Sequence, residues 1–316
     1  MILSGSQQGL DLAARVFLDP GDVIVVEEPS FFSALQVFRA AGARVMGVPV
    51  DEGGMRLEVL EPLLMRTKPK LIYTLPTFQN PSGVTMGLER RVRLLELAYR
   101  YQVPVLEDDP YGELRYEGGA VPPLKALDQY GYVIYLSTFS KILFPGLRVG
   151  WLAATRPVVR QFALAKQLVD LHSGSLSQQL LDRFARQGLL LSHLQTVRQD
   201  YLSRRNIMLE ALEQNTPPGF SWNRPEGGLY LWCRLPERIA SSRLMARAAD
   251  RRVSFVPGEA FHQNGQGQNF IRLNYTFPPP GRIREGVARL MEAVRETLAE
   301  VPDTGTDVEV EMKPIV

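Results

Sequence analysis

Residues 137–148 read Ser-Thr-Phe-Ser-Lys-Ile-Leu-Phe-Pro-Gly-Leu-Arg, a polar turn between two apolar, β-prone runs at 132–136 and 149–154. Lys141 lies in that turn, with the hydroxyls of Thr138 and Ser140 before it and Arg148 seven residues after it. Arginine offers a planar fork of donors and serine or threonine an adaptable one, so this set can hold a phosphate. Lysine is the side chain that condenses with a carbonyl cofactor. A phosphate site beside such a lysine suggests pyridoxal phosphate. A lysine in a loop is also commonly a solvated charge, and the rest of the chain must decide between the two.

Other polar residues fall where strands should end. Asn80 follows the run 71–75, and Asp108 closes the run 103–106 in the sequence Glu107-Asp108-Asp109-Pro110-Tyr111. Phe31 follows the run 23–26. Each has a plain alternative: a turn at Asn80-Pro81, a solvated loop at Asp108-Asp109, a core aromatic at Phe31. In parallel sheets, however, ligands bind at the carboxyl ends of strands. These residues share that rim with Lys141. At the start of the chain, residues 2–3 run into Gly5-Ser6-Gln7, and Leu10, Ala13, Ala14 and Phe17 then recur at helical spacing. Ser6 and Gln7 therefore lie at a helix N-terminus, either as an ordinary cap or as an anion site. Arg272 stands in the apolar run 270–275. It is either an edge-strand arginine facing water or a clamp on a substrate carboxylate.

The elements that must position these residues alternate. Strand-like runs at 23–26, 45–50, 71–75 and 103–106 are separated by helical patterns, with Leu88, Val92, Leu95 and Tyr99 marking one helix face. That alternation predicts a parallel sheet with helices on both faces. After residue 154 the pattern changes to long helices at 157–170, 176–191 and 194–214. Strands at 220–224, 229–235, 253–256 and 270–275 and helices at 241–251 and 283–300 then predict a smaller α+β domain. The acidic, turn-rich stretch 301–316 is read as a disordered tail. The domain division is 1–205, 206–300 and the tail.

Composition narrows the function classes. A 316-residue chain with 45% hydrophobic and 22% charged residues fits a globular protein of two domains. Its net charge of +2 argues against a nucleic-acid or membrane surface. The single cysteine, Cys233, lies in an apolar run and reads as a buried thiol. Three scattered histidines, at 172, 193 and 262, have no ligand spacing, so no metal is expected. No signal peptide or membrane span is visible, which fits a cytoplasmic protein.

With these residues in view, the chain resembles the fold-type I pyridoxal-phosphate enzymes, the class I/II aminotransferases, from residue 2 to about residue 300. The nearest resemblance is to the 2-aminoadipate/kynurenine branch and to the aminotransferase-like domain of MocR-type transcription regulators. It implies a three-layer α/β sandwich with a mostly parallel central sheet. It also implies that Lys141 bonds the cofactor and Asp108 accepts the pyridine N–H, while Asp109 stays clear of the ring. Tyr111 and Asn80 would bond the ring 3-oxygen, and Phe31 would stack on the ring. Ser6, Gln7, Thr138, Ser140 and Arg148 would hold the phosphate; Arg272 would take the substrate α-carboxylate, and Asn80 would also contact the substrate. The implied reaction moves an amino group from an L-amino acid to a 2-oxo acid by a ping-pong Schiff-base mechanism in a homodimer. The second reading is a cofactor- and effector-binding domain of a MocR-type (GntR family) regulator, with the DNA-binding part upstream. The family carries a long segment before the position of Gly5, including a tyrosine lent to the neighbouring subunit's phosphate. This chain opens at the phosphate cup, so that segment is expected to be missing.

Overall fold

The computed structural model of the chain describes residues 1–300. The stretch 301–316, expected to be a tail, lies outside the described residues. Eight strands form the first sheet: β1 (Ile2–Leu3), β2 (Val23–Glu28), β3 (Arg44–Asp51), β4 (Gly54–Met55), β5 (Leu71–Thr74), β6 (Val105–Asp108), β7 (Val133–Thr138) and β8 (Gly150–Ala153). Their order is β1-β8-β7-β6-β5-β2-β3-β4. The five central strands, from β7 to β3, are parallel, and β8, β1 and β4 join antiparallel at the two edges.

Successive residues of a strand point to opposite faces, and the central strands are apolar on both. Ile24, Val26, Leu71, Tyr73, Leu106, Ile134 and Leu136 enter one core with helices α1 (Ser6–Phe17), α2 (Phe32–Ala40) and α6 (Arg156–Gln167). Val25, Ile72, Val105 and Val133 enter the other, against α3 (Leu57–Thr67), α4 (Leu88–Tyr101) and α5 (Leu124–Leu127). This is the expected three-layer α/β sandwich with a mostly parallel sheet.

Two further helices, α7 (Ser175–Arg186) and α8 (Leu189–Asn215), lead to the second sheet. Sequence reading placed their break after residue 191. It lies instead at Gly188, whose φ of +74° ends α7 in a backbone conformation that glycine adopts without strain. α8 spans 27 residues and serves two cores. Leu194 packs in the first, while Met208, Leu209 and Leu212 pack in a third cluster built around the second sheet. The expected division at residues 205/206 therefore falls inside this helix. The second sheet has the order β11-β12-β10-β9, from β9 (Ser221–Trp222), β10 (Tyr230–Arg234), β11 (Val256–Pro257) and β12 (Phe270–Asn274). α9 (Ser241–Asp250) and α10 (Pro280–Glu300) cover it through Leu244, Val287, Leu290 and Met291. Cys233 is buried in this core, as its sequence context predicts. The expected strand over 253–256 is reduced to Val256–Pro257.

One close approach fixes the start of α1. Gly150 in β8 pairs with Leu3 on one side and Thr138 on the other. A Cβ there would lie 2.7 Å from the Ser137 carbonyl oxygen and 2.9 Å from the Gly5 carbonyl carbon and the Ser6 nitrogen. All three are backbone atoms and cannot swing aside. Gly150→Ala should therefore cost about 1–3 kcal/mol by overpacking. An unchanged urea midpoint for that variant would show that the three backbones are not in contact.

Candidate active site

The parallel strands deliver their polar termini to one rim. β6 ends at Asp108, β7 ends at Thr138, and the loop after β5 carries Asn80. Phe31 immediately precedes α2 in the loop after β2. Ser6 and Gln7 open α1 behind Gly5. A cavity of about 270 Å³ lies between them, lined by Ser6, Gln7, Phe31, Asp108, Tyr111, Thr138, Ser140, Lys141, Arg148 and Arg272. Of the residues singled out from sequence, only Asn80 is not on its wall. It stands one hydrogen bond behind, donating through Nδ2 to the Tyr111 hydroxyl at 3.3 Å and accepting from Arg272 Nη1 at 2.8 Å. A larger hollow of about 680 Å³ lies alongside, walled by Asp109, Tyr135, Arg115 and Arg198. It shares Pro110 and Thr138 with the first but includes neither Lys141 nor Asp108, so the chemistry-bearing set belongs to the smaller cavity.

One end of the cavity suits an anion. The Thr138 hydroxyl donates to Ser140 Oγ at 3.0 Å, and Arg148 Nη1 reaches the same Oγ at 3.1 Å. Arg148 Nη2 donates to the Ser4 carbonyl at 3.3 Å, which ties the guanidinium to the turn before α1. Gly5 has φ +86°, and a Cβ on it would meet Arg148 Nη2 at 2.6 Å. Only glycine leaves the guanidinium room beside the first free N–H groups of α1. No side chain caps this helix, so the Ser-cap reading of Ser6 does not hold.

The cavity floor carries a single carboxylate. Asp108 is 2% exposed, and its Oδ2 accepts from the Tyr73 hydroxyl at 3.1 Å. Its Oδ1 is buried with no partner. Burial pushes the Asp108 carboxyl up to about 7, against the pull of the Tyr73 hydrogen bond and the Lys141 charge; Asp109 pushes it further up. Asp109 points elsewhere, accepting from the Tyr135 hydroxyl at 2.9 Å and the Gly112 N–H at 2.8 Å.

The opposite wall comes from the second sheet. Arg272 lies in β12, paired with β11 through Val256 and with β10 through Trp232. It is an interior strand, so the edge-strand reading fails. Its guanidinium carbon stands 3.9 Å from the Tyr230 ring centre and 4.9 Å from that of Phe261, a cation–π sandwich that holds the fork flat. Arg272 Nε is buried without a partner. Sequence reading missed Tyr73 and Tyr230, because aromatics in apolar runs look like core, and Phe261, which closes the short helical turn Gly258–Phe261 among polar neighbours. It also missed Glu27. That buried carboxylate accepts from Thr74 Oγ1 at 2.6 Å, the Leu75 N–H at 3.1 Å and Gln79 Nε2 at 3.2 Å. Gln79 Nε2 also donates to the Pro29 carbonyl at 2.7 Å, so the network braces the loops that carry Phe31 and Asn80. An acid closing a valine-rich strand was the available signal.

Fold and cavity together define an α/β enzyme with a lysine poised in an anion-binding pocket. The family model described as aminotransferase class I and II matches residues 1–290, and the chain belongs to that family. Aromatic-amino-acid aminotransferase 1 of Thermococcus litoralis is 46% identical, over 94% of this chain and 73% of its own length. The crystal structure of LysN, an alpha-aminoadipate aminotransferase from Thermus thermophilus complexed with N-(5'-phosphopyridoxyl)-L-leucine, matches at 40% identity with a TM-score of 0.92. That match covers 94% of this chain and 77% of that one. The HTH-type transcriptional regulator YisV of Bacillus subtilis is 35% identical, over 94% of this chain and 61% of its own length. The chain is a pyridoxal-phosphate-dependent aminotransferase. The cavity fits that cofactor on its own evidence. It has a buried, unpartnered carboxylate oxygen on the floor, a lysine on the wall, and an arginine in the space left by a glycine.

The raised Asp108 carboxyl has a thermodynamic sign. It binds its proton more tightly folded than unfolded, so it lowers stability as pH rises from the unfolded value of 3.8 to about 7, and adds no further slope above that. Glu107, also raised to about 7 by burial, adds a parallel slope. Urea midpoints of the cofactor-free protein should fall over this window, and Asp108→Asn should flatten part of the fall. An identical pH slope in the variant would rule out the buried acid as its source.

Proposed function

We propose that this chain moves an amino group from an L-amino acid to a 2-oxo acid in two half-reactions, with Lys141 as the proton carrier. The supporting observation is that Lys141, Asp108, the Thr138–Ser140–Arg148 group and Arg272 converge on one cavity. Three cations face one carboxylate there, a balance suited to a phosphate together with a substrate carboxylate.

In this reading Ser6, Gln7, Thr138, Ser140 and Arg148 hold the phosphate. Asp108 would take the ring N–H on Oδ1, Tyr111, with the Asn80 amide behind its hydroxyl, would bond the ring 3-oxygen, Phe31 would cover the ring face and Lys141 would bond the cofactor. When bound, pyridoxal phosphate supplies an aldehyde that accepts and returns the amino group, and a ring that withdraws electrons from the carbon losing its proton. Arg272 grips the donor's α-carboxylate with donors not spent on Asn80. Its clamp between Tyr230 and Phe261 keeps the fork pre-oriented, so little freedom is lost on binding. That grip turns the α-carbon toward Lys141. Lys141 Nζ takes the α-proton of the donor, and in the return half-reaction it delivers a proton to the α-carbon of the acceptor.

The enzyme is proposed to act as a cytoplasmic homodimer without nucleic-acid contacts of its own. A net charge of +2 supports the last point. The exposed Leu168, Leu171, Leu176 and Leu191, 70–90% accessible, are apolar surface of the kind a second copy covers. Among the described residues no helix is long and apolar enough to cross a membrane. The regulator reading has less support, since the regulator matches at 35% identity and the aromatic-amino-acid aminotransferase at 46%.

Two measurements test the proposal. Protein loaded with pyridoxal phosphate and mixed with amino acids alone should release one equivalent of 2-oxo acid, with continued turnover only after an acceptor is added. Release of nothing would defeat it. Lys141→Ala should lose proton transfer by several orders of magnitude, whereas Arg272→Ala should chiefly raise KM for the amino acid, by about 10²-fold for a lost charge-assisted fork. Arg272→Ala with unaltered KM would remove Arg272 from the substrate site.

A further inference from the structure

Asp108 has one side-chain hydrogen-bond donor among the described residues, the Tyr73 hydroxyl at 3.1 Å from Oδ2. Tyr73 lies in the middle of β5 and is fully buried. Phe38 of α2 packs edge-on against its ring, centroids 5.4 Å apart, so the phenol has a fixed direction. A carboxylate buried without donors reverts to the neutral acid. A neutral acid has no charge to offer a protonated ring nitrogen.

A cationic donor at this place would keep Asp108 ionised but would cancel its charge. A phenol does not. Burial and the Asp108 charge push the Tyr73 phenol well up, so it stays a neutral donor throughout the working range. It also bonds one oxygen only, which fixes the carboxylate's rotation and leaves Oδ1 as the unpartnered atom.

We propose that Tyr73 is a positioning residue of the amino-transfer site: its hydroxyl holds Asp108 ionised and turned so that Oδ1 faces the ring nitrogen of the cofactor. This rests on Asp108 being the ring-nitrogen partner. Asp109 provides an internal comparison. It too accepts from a tyrosine, Tyr135, at 2.9 Å, but faces the neighbouring hollow.

The test uses the full chain loaded with pyridoxal phosphate carrying ¹⁵N in the ring, and reads the nitrogen shift against pH. In Tyr73→Phe, which keeps the ring packing on Phe38, the nitrogen should lose its proton about one pH unit lower than in wild type, a tenfold fall in proton affinity. kcat should fall by a similar factor with KM for the amino acid unchanged. Tyr135→Phe should leave the nitrogen titration where it was. Incorporation of 3-fluorotyrosine at position 73, a stronger donor of nearly the same shape, should shift it the opposite way, and this arm decides if the phenylalanine variant does not fold. An unmoved titration in both position-73 variants, or an equal shift in Tyr135→Phe, overturns the proposal. In an Asp108→Asn background Tyr73→Phe should have no further effect; an additive effect overturns it as well. A wild-type ring nitrogen that is unprotonated throughout would instead remove Asp108 from its role, and the proposal with it.

Discussion

A negative charge kept out of water is the constraint around which this molecule is arranged. Asp108 ends an interior strand of a sheet covered on both faces, where a carboxylate has little reason to stay ionised. What makes the position tolerable is the sheet itself. Neighbouring parallel strands bring a phenol from β5 to one side of it and a lysine from the loop after β7 to the other. The same parallelism places Phe31, Asn80 and the start of α1 on one rim. The layered core is therefore the means by which residues more than a hundred positions apart meet around one buried acid.

Parts of this were legible in the sequence for plain reasons. Strands buried on both faces read as continuous apolar runs, and a polar residue closing such a run stands out. Asp108, Asn80 and Lys141 were visible in that way, and so was the glycine turn before α1. Boundaries were less legible where apolar spacing continued through a break. Leu189, Leu190 and Leu191 prolong the helical pattern past Gly188, and only the positive φ of that glycine reveals the turn. Arg272 could not be assigned to an edge or an interior strand, because its neighbours come from residues 232 and 256 and pairing across such distances leaves no local trace. Tyr73 and Tyr230 were invisible for a different reason. An aromatic in an apolar strand looks the same whether it fills space or orients a charge, and only the group it meets in the folded chain tells the difference: a carboxylate at the Tyr73 hydroxyl, a guanidinium on the Tyr230 ring face.

The two halves of the cavity belong to different sheets. The floor and the end with Arg148 belong to the eight-stranded sheet, with backbone in contact around Gly150 and a carboxylate network at Glu27 beneath the loops. Arg272, the proposed substrate arginine, belongs to the four-stranded sheet and reaches the other half through its bond to Asn80.

α8 gives that division a further meaning. Because one helix is embedded in both cores, it couples the two sheets as a lever couples its two ends. Loosening the C-terminal core at Met208 or Leu212 would tilt the wall that carries Arg272 while the floor under Asp108 stayed in place. With Arg272 in its proposed role, packing defects far from the cavity would then appear in kinetic data as poor recognition of the amino acid, with the cofactor held as firmly as before. On the proposed site roles, a mutational map of substrate affinity would trace the interior of the smaller core, and a map of cofactor retention would trace the larger one.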